Sequence, residues 1–166
     1  SLAYCLRGKT RVLLDEYKGA VNDLSKAITL DPHLELYQFA INDLSKITII
    51  DSNEKEVFYL RGMAKFRLEN YKGAVEDYSE VIKLDPKNVE AYLFRGDAKF
   101  KLKNYQDSLE DFYKVVSINT KDNNMNGWAY FQIGQLKYLE ENHEDAIINL
   151  SKSIELIPNN ADAYYL

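Results

Sequence analysis

The chain is predicted to be all-α, a solenoid of stacked antiparallel helix pairs, on three observations. First, Gly8, Gly62, Gly96 and Gly134 each stand twelve residues before a small residue, at Ala20, Ala74, Ser108 and Ala146. Second, each small residue is followed twelve further on by a helix stop, at Pro32, Pro86, Thr120 and Pro158. Third, Gly62 to Gly96 and Ala74 to Ser108 both span 34 residues. A self-repeat of this period is one helical hairpin copied along the chain. A hairpin cannot bury its own apolar stripe, so copies must stack on one another.

Each column has a physical task. Glycine and the small residue after it let two helices approach closely, where a larger side chain would hold the backbones apart. Val12, Phe66, Phe100 and Tyr138 share one apolar column, and Leu24, Tyr78, Phe112 and Leu150 another. Ile28, Ile82, Val116 and Ile154 form a third, and Leu30, Leu84, Ile118 and Leu156 a fourth. These intervals of about three or four residues draw a continuous stripe on each helix. Asp31-Pro32 and Asp85-Pro86 close second helices, because proline disfavours a helical residue before it.

The best copy runs from Val57 to Pro86, with Arg61-Gly62, Tyr71 and Asp85-Pro86 as landmarks; others start at Ala3-Tyr4, Ala91-Tyr92 and, more divergently, Ala129-Tyr130. In these residues the chain resembles the tetratricopeptide repeat family over nearly its whole length. The resemblance implies a right-handed superhelix over residues 1–166, with repeats at about 1–34, 55–88, 89–122 and 127–160. A partial repeat falls at 35–54, and a further first helix begins at 161–166.

Two breaks interrupt the period. Tyr37–Lys46 matches Tyr17–Lys26 at an offset of 20, so a second helix arrives early and most of its first helix is absent. A lone second helix leaves an apolar flank open, at about 25 cal/mol per Å². The preferred explanation is that residues are omitted near Leu34–Tyr37; the alternative is a natural deletion that fuses Leu34–Ile50 into one helix. The second break is the longer loop Asn119–Asn126. Asp122, Asn124 and Asn126 open a calcium-loop pattern, but the twelfth place, which needs a bidentate carboxylate, is Ile133. The loop is therefore expected to cap the next helix rather than to hold a metal.

Composition excludes several classes. A formal net charge of −5 and a pI near 5.1 argue against a binder of nucleic-acid phosphates. No apolar run approaches the roughly 18 residues of a membrane span. The chain opens inside a repeat, and no signal peptide is visible. The single cysteine, Cys5, cannot pair internally, which is compatible with a cytoplasmic location. Cys5 lies on a face that could open to a groove, yet as a small apolar residue it requires no chemistry. His33 and His143 stand at helix boundaries outside any metal-ligand spacing. No nucleophile elbow, phosphate loop or carboxylate pair appears, so neither catalysis nor a cofactor is expected.

One polar pattern is internal. Arg7, Arg61 and Arg95 precede the glycine, and Asp23, Asp77 and Asp111 stand sixteen residues later; in the fourth copy both change together, to Ile133 and Asn149. An ion pair between the two helices of a hairpin is expected, with ligand binding by the arginines as the alternative.

The resemblance also implies a ligand face, since in this family the first helices line the concave side and take peptides or partner helices there. Carried over by column, that face is Glu56, Tyr59, Met63, Phe66 and Arg67, then Glu90, Leu93, Asp97, Phe100 and Lys101, then Trp128, Phe131, Gln135 and Tyr138. Tyr59, Trp128 and Phe131 are the aromatics expected on the surface, where tyrosine and tryptophan often anchor a partner; Phe66 and Phe100 equally suit packing between helices. One branch of the family clamps the carboxylate tail of a chaperone with lysine, asparagine and arginine. Here those places hold Tyr59 with Met63, Phe94, and Trp128 with Gln132, or Cys5 with Lys9 in an earlier frame, and no frame reproduces the clamp. The expected function is thus a non-catalytic peptide-binding scaffold. The alternatives are self-association through uncapped ends and a regulatory array of a larger enzyme. Ala163-Tyr164-Tyr165-Leu166 parallels Ala3-Tyr4-Cys5-Leu6, so the array is expected to extend past Leu166 or to be covered there by a neighbour.

Overall fold

A computed structural model describes residues 1–30, 33–50, 54–118 and 121–159. The described residues form helices and turns only, in the order α1 (Leu2–Leu13), α2 (Tyr17–Leu30), α3 (Leu34–Ile50), α4 (Lys55–Arg67), α5 (Tyr71–Leu84), α6 (Val89–Lys101), α7 (Tyr105–Ile118), α8 (Asn123–Leu139) and α9 (His143–Leu156). The expected helix stops at Asp31-Pro32 and Thr120, and the parallel drawn from Ala163–Leu166, lie outside the described residues. No described helix is long and apolar enough to cross a membrane. The chain divides into two compact units, Ser1–Pro86 and Lys87–Leu166.

In the first unit α1 packs on α2, and α4 on α5. Its core gathers Cys5, Val12, Leu24 and Ile28 with Leu44, Ile47, Val57 and Leu60. Cys5 is 5% exposed, so it faces this core and not a groove; burial raises its thiol pKa. Residues 34–50 form one continuous helix. α3 touches α1, α2 and α4, and it buries Leu36, Tyr37, Ala40, Leu44 and Ile47 to 7% exposure or less. Of the flank expected to be bare on a lone second helix, Phe39 is 48% exposed and Ile49 85%.

The second unit pairs α6 with α7 and α8 with α9, and α7 also packs on α8. Phe112, Val115, Ala129 and Ile133 are wholly buried, beside Leu93, Leu109 and Leu136. Asp122 caps α8, accepting hydrogen bonds from the backbone N–H groups of Asn124 and Met125, as the reading of the long loop required. Asn70, Asn88 and Asn142 cap α5, α6 and α9 in the same way. Each such cap contributes about 1 kcal/mol.

The glycine column also makes room for a neighbour that was not expected. A Cβ built on Gly62 would lie 3.1 Å from Tyr78, one on Gly96 2.8 Å from Phe112, and one on Gly134 2.7 Å from Leu150. The space is therefore taken by the large side chain sixteen residues on. The small residue at twelve contributes a narrower role, seen where Ser108 Oγ donates to the Gly96 carbonyl at 2.8 Å.

Every hairpin turn carries a left-handed residue that is not glycine: Asp15, Glu69, Lys103 and Glu141, with φ between 59° and 62°. That conformation crowds Cβ against the carbonyl. Lys103→Gly is therefore expected to raise stability by about 0.5–1 kcal/mol, the relief of strain exceeding the added chain entropy. A thermal melt of the variant below that of the parent would contradict this.

Candidate functional site

The arginine–aspartate columns are internal cross-links. Arg61 Nη2 lies 2.6 Å from Asp77 Oδ1, and Arg95 Nη2 2.6 Å from Asp111 Oδ1, each with a second bond from Nε at 2.9 Å. Arg7 grips Asp23 likewise at 2.7 Å. A second cation completes each cluster: Arg11 at 2.6 Å from Asp23, Lys65 at 2.8 Å from Asp77 and Lys99 at 2.8 Å from Asp111. These three carboxylates are 1–3% exposed, which requires such partners. The hydrogen bond from Arg7, with the charges of Arg11 and Arg7, holds the Asp23 carboxyl below its ordinary range against the opposing effect of burial. Arg61 also donates to Thr48 Oγ1 at 2.8 Å, tying α3 to the α4–α5 hairpin. In the fourth copy Ile133 is fully buried, Asn149 donates to the Asp145 carbonyl, and Lys137 turns to Glu140 at 2.8 Å. The second cation was missed on reading the sequence, though its signal was there: Arg11, Lys65, Lys99 and Lys137 recur four residues after the arginine column.

With the arginines committed to packing, the first-helix residues remain. On α4, Tyr59 and Met63 are half-buried against the core, and Arg67 is exposed. Tyr59 meets Tyr78 edge-to-face at 6.1 Å. On α6, Glu90 and Lys101 are exposed and Asp97 is half-buried. On α8, Trp128 and Gln135 are half-buried. Two expected residues are not on an open face. Leu93 is 6% exposed and Phe131 3%: Leu93 belongs to the core with Phe112, Val115 and Ile133, and Phe131 packs on Leu150 and Ile154. Phe66 and Phe100 follow the packing alternative, resting on Tyr71 at 5.3 Å and Tyr105 at 5.6 Å.

One polar constellation was not foreseen. Gln132 Nε2 donates to Asp97 Oδ1 at 2.7 Å, and Trp128 Nε1 stands 3.4 Å from both Asp97 oxygens. Trp128 in turn lies 5.5 Å from the ring of Phe131. Burial pushes the Asp97 carboxyl up to about 6, against the lowering effect of Gln132, Trp128 and the charge of Lys101. Among the described residues no group of three or more His, Cys, Asp or Glu side chains is arranged to hold a metal ion.

Two family models match the chain. One described as TPR repeat matches residues 62–103, and one described as tetratricopeptide repeat matches 2–34, 89–122 and 129–160. No curated protein is significantly similar in sequence. Among solved structures, YrrB, described as a TPR protein with an unusual peptide-binding site, superposes with a TM-score of 0.71 at 20% identity, covering 98% of this chain and 89% of its own. MamA gives a TM-score of 0.68 at 22% identity, covering 93% and 96%. The first TPR of Spaghetti (RPAP3), bound to the HSP90 peptide SRMEEVD, gives 0.62 at 26% identity over 69% of this chain and 88% of its own.

Proposed function

Because the chain belongs to the tetratricopeptide repeat family, we propose that it is a non-catalytic scaffold that binds an extended peptide on the faces of its first helices. The observation that carries this reading is the division of labour between columns. Arg61 and Arg95, the column glycines and the large residues sixteen positions on are consumed inside the hairpins. Tyr59, Met63 and Arg67 on α4, and Glu90, Asp97, Lys101, Trp128 and Gln135 on α6 and α8, stay half-buried or exposed. Half-buried aromatics beside charged side chains suit anchoring of a peptide. The HSP90 peptide bound to RPAP3 and the peptide-binding site described for YrrB support the same class of ligand. Panning a random peptide library and titrating the hits by calorimetry is expected to give saturable binding that Trp128→Ala weakens about tenfold or more. Hits indifferent to Trp128→Ala and to Tyr59→Ala would remove the reading.

A specific observation favours a second mode, association with another copy. Leu6 is 56% exposed where Leu60, in the same column, is 5% exposed, and Ile147 is 65% exposed where Leu109 is 4% exposed. In this reading the α1 face of one copy covers the α9 face of another, reproducing the contact that α8 makes with α7. Ile147→Glu should then abolish any concentration-dependent light scattering. A monomer at all concentrations would exclude it.

A further inference from the structure

The buried aspartates of the hairpins each hold two cations, and Asp97 holds none. Among the described residues no lysine or arginine nitrogen lies within ion-pair distance of Asp97, although its carboxylate is largely removed from water. A carboxylate has about four lone-pair sites. One short bond from Gln132 and two long contacts from the Trp128 indole fill them only in part. Gln132 is 7% exposed, and its Oε1 is buried without a hydrogen-bond partner. Two acceptor groups thus stand side by side with unused capacity, next to the half-buried ring of the chain's single tryptophan. A group with several donors in one plane, positively charged and able to stack on an indole, matches all three features.

We propose that Asp97, Gln132 and Trp128 form a receptor for the guanidinium of an arginine side chain on the bound peptide. This rests on the first-helix face being a ligand face, and it names the chemistry that face selects. Asp97 supplies the countercharge, the Gln132 amide oxygen, buried in the free protein, takes a further N–H once the amide turns toward the ligand, and the indole of Trp128 covers the cation. Lys101, on the same helix, favours the ionised form of Asp97, while α8 faces Asp97 with neutral groups. A peptide presenting a carboxylate here would meet Asp97 and be repelled.

The test uses the whole chain, with N-acetyl-arginine amide as probe and N-acetyl-citrulline amide, the uncharged analogue of the same shape, as control. The indole N–H resonance of the single tryptophan reports occupancy. The arginine probe is expected to shift it saturably, the citrulline probe to bind about tenfold or more weaker, and Asp97→Asn to remove the difference between the two. Because Asn replaces Asp97 without a charge to bury, this variant keeps its fold. Arginine binding should also fall as the pH drops below about 6 and Asp97 takes up a proton. Equal shifts from both probes, or an Asp97→Asn variant that still prefers arginine, would overturn the proposal. Library peptides lacking arginine that bind parent and Asp97→Asn alike would keep the scaffold reading and refute this one. Arginine-amide binding without any peptide hit would do the reverse.

Discussion

Asp77→Ala is expected to destabilise the α4–α5 hairpin by about 3 kcal/mol, at the low end for breaking a buried ion pair by removal of one partner. The variant leaves two cations facing each other without their carboxylate, and the side chains of Arg61 and Lys65 are only 14% and 16% exposed. Their residual contact with water places the effect at the low end of that range. Arg61 keeps its bonds to Thr48 and Ser45, so the loss concentrates on Lys65 and on the guanidinium edge that faced Asp77. Hydrogen exchange of the α4 and α5 amides is the appropriate measurement, because a chain of two compact units need not unfold in one step. A triple variant, Arg61→Met with Lys65→Met and Asp77→Leu, should recover most of the loss, since apolar replacement of a buried ionic cluster is often neutral or stabilising. Unchanged protection in Asp77→Ala would show that the cluster contributes nothing to stability.

Gly96→Leu should cost about 1–3 kcal/mol by overpacking. Even a methyl group here would lie 2.8 Å from Phe112 Cε1 and 3.0 Å from its Cζ. Phe112 is fully buried, so its ring cannot turn aside into solvent, and the helices α6 and α7 must separate instead. Separation would also lengthen the Ser108–Gly96 hydrogen bond and the Arg95–Asp111 pair on the same contact. Urea denaturation followed by circular dichroism reads the change, and an unchanged midpoint would remove the role assigned to this glycine.

The parts of this fold legible in the sequence are those the repeat copies. A column occupied by Arg7, Arg61 and Arg95, with Asp23, Asp77 and Asp111 at a constant distance, identifies a contact because several copies agree, and the joint change at Ile133 and Asn149 adds an independent check. What the repeat does not copy stayed hidden. Gln132 and Asp97 sit in adjacent copies with different residues in the matching columns, so no periodicity links them. The burial of Leu93 and Phe131 escaped notice for another reason. Column position gives the direction a side chain leaves its helix, but how deeply it sinks depends on the size of its neighbours, here Phe112 and Leu150.

The single helix α3 bears on how such an array changes its length. It matches a second helix in sequence, yet it packs on α1, α2 and α4 without a first helix of its own. Its own side chains Ser45 and Thr48 receive the guanidinium of the hairpin that follows. A stack built this way can grow by one helix at a time rather than by a whole copy. The unmatched helix shows as a bare edge at Ile49 rather than as a broken core.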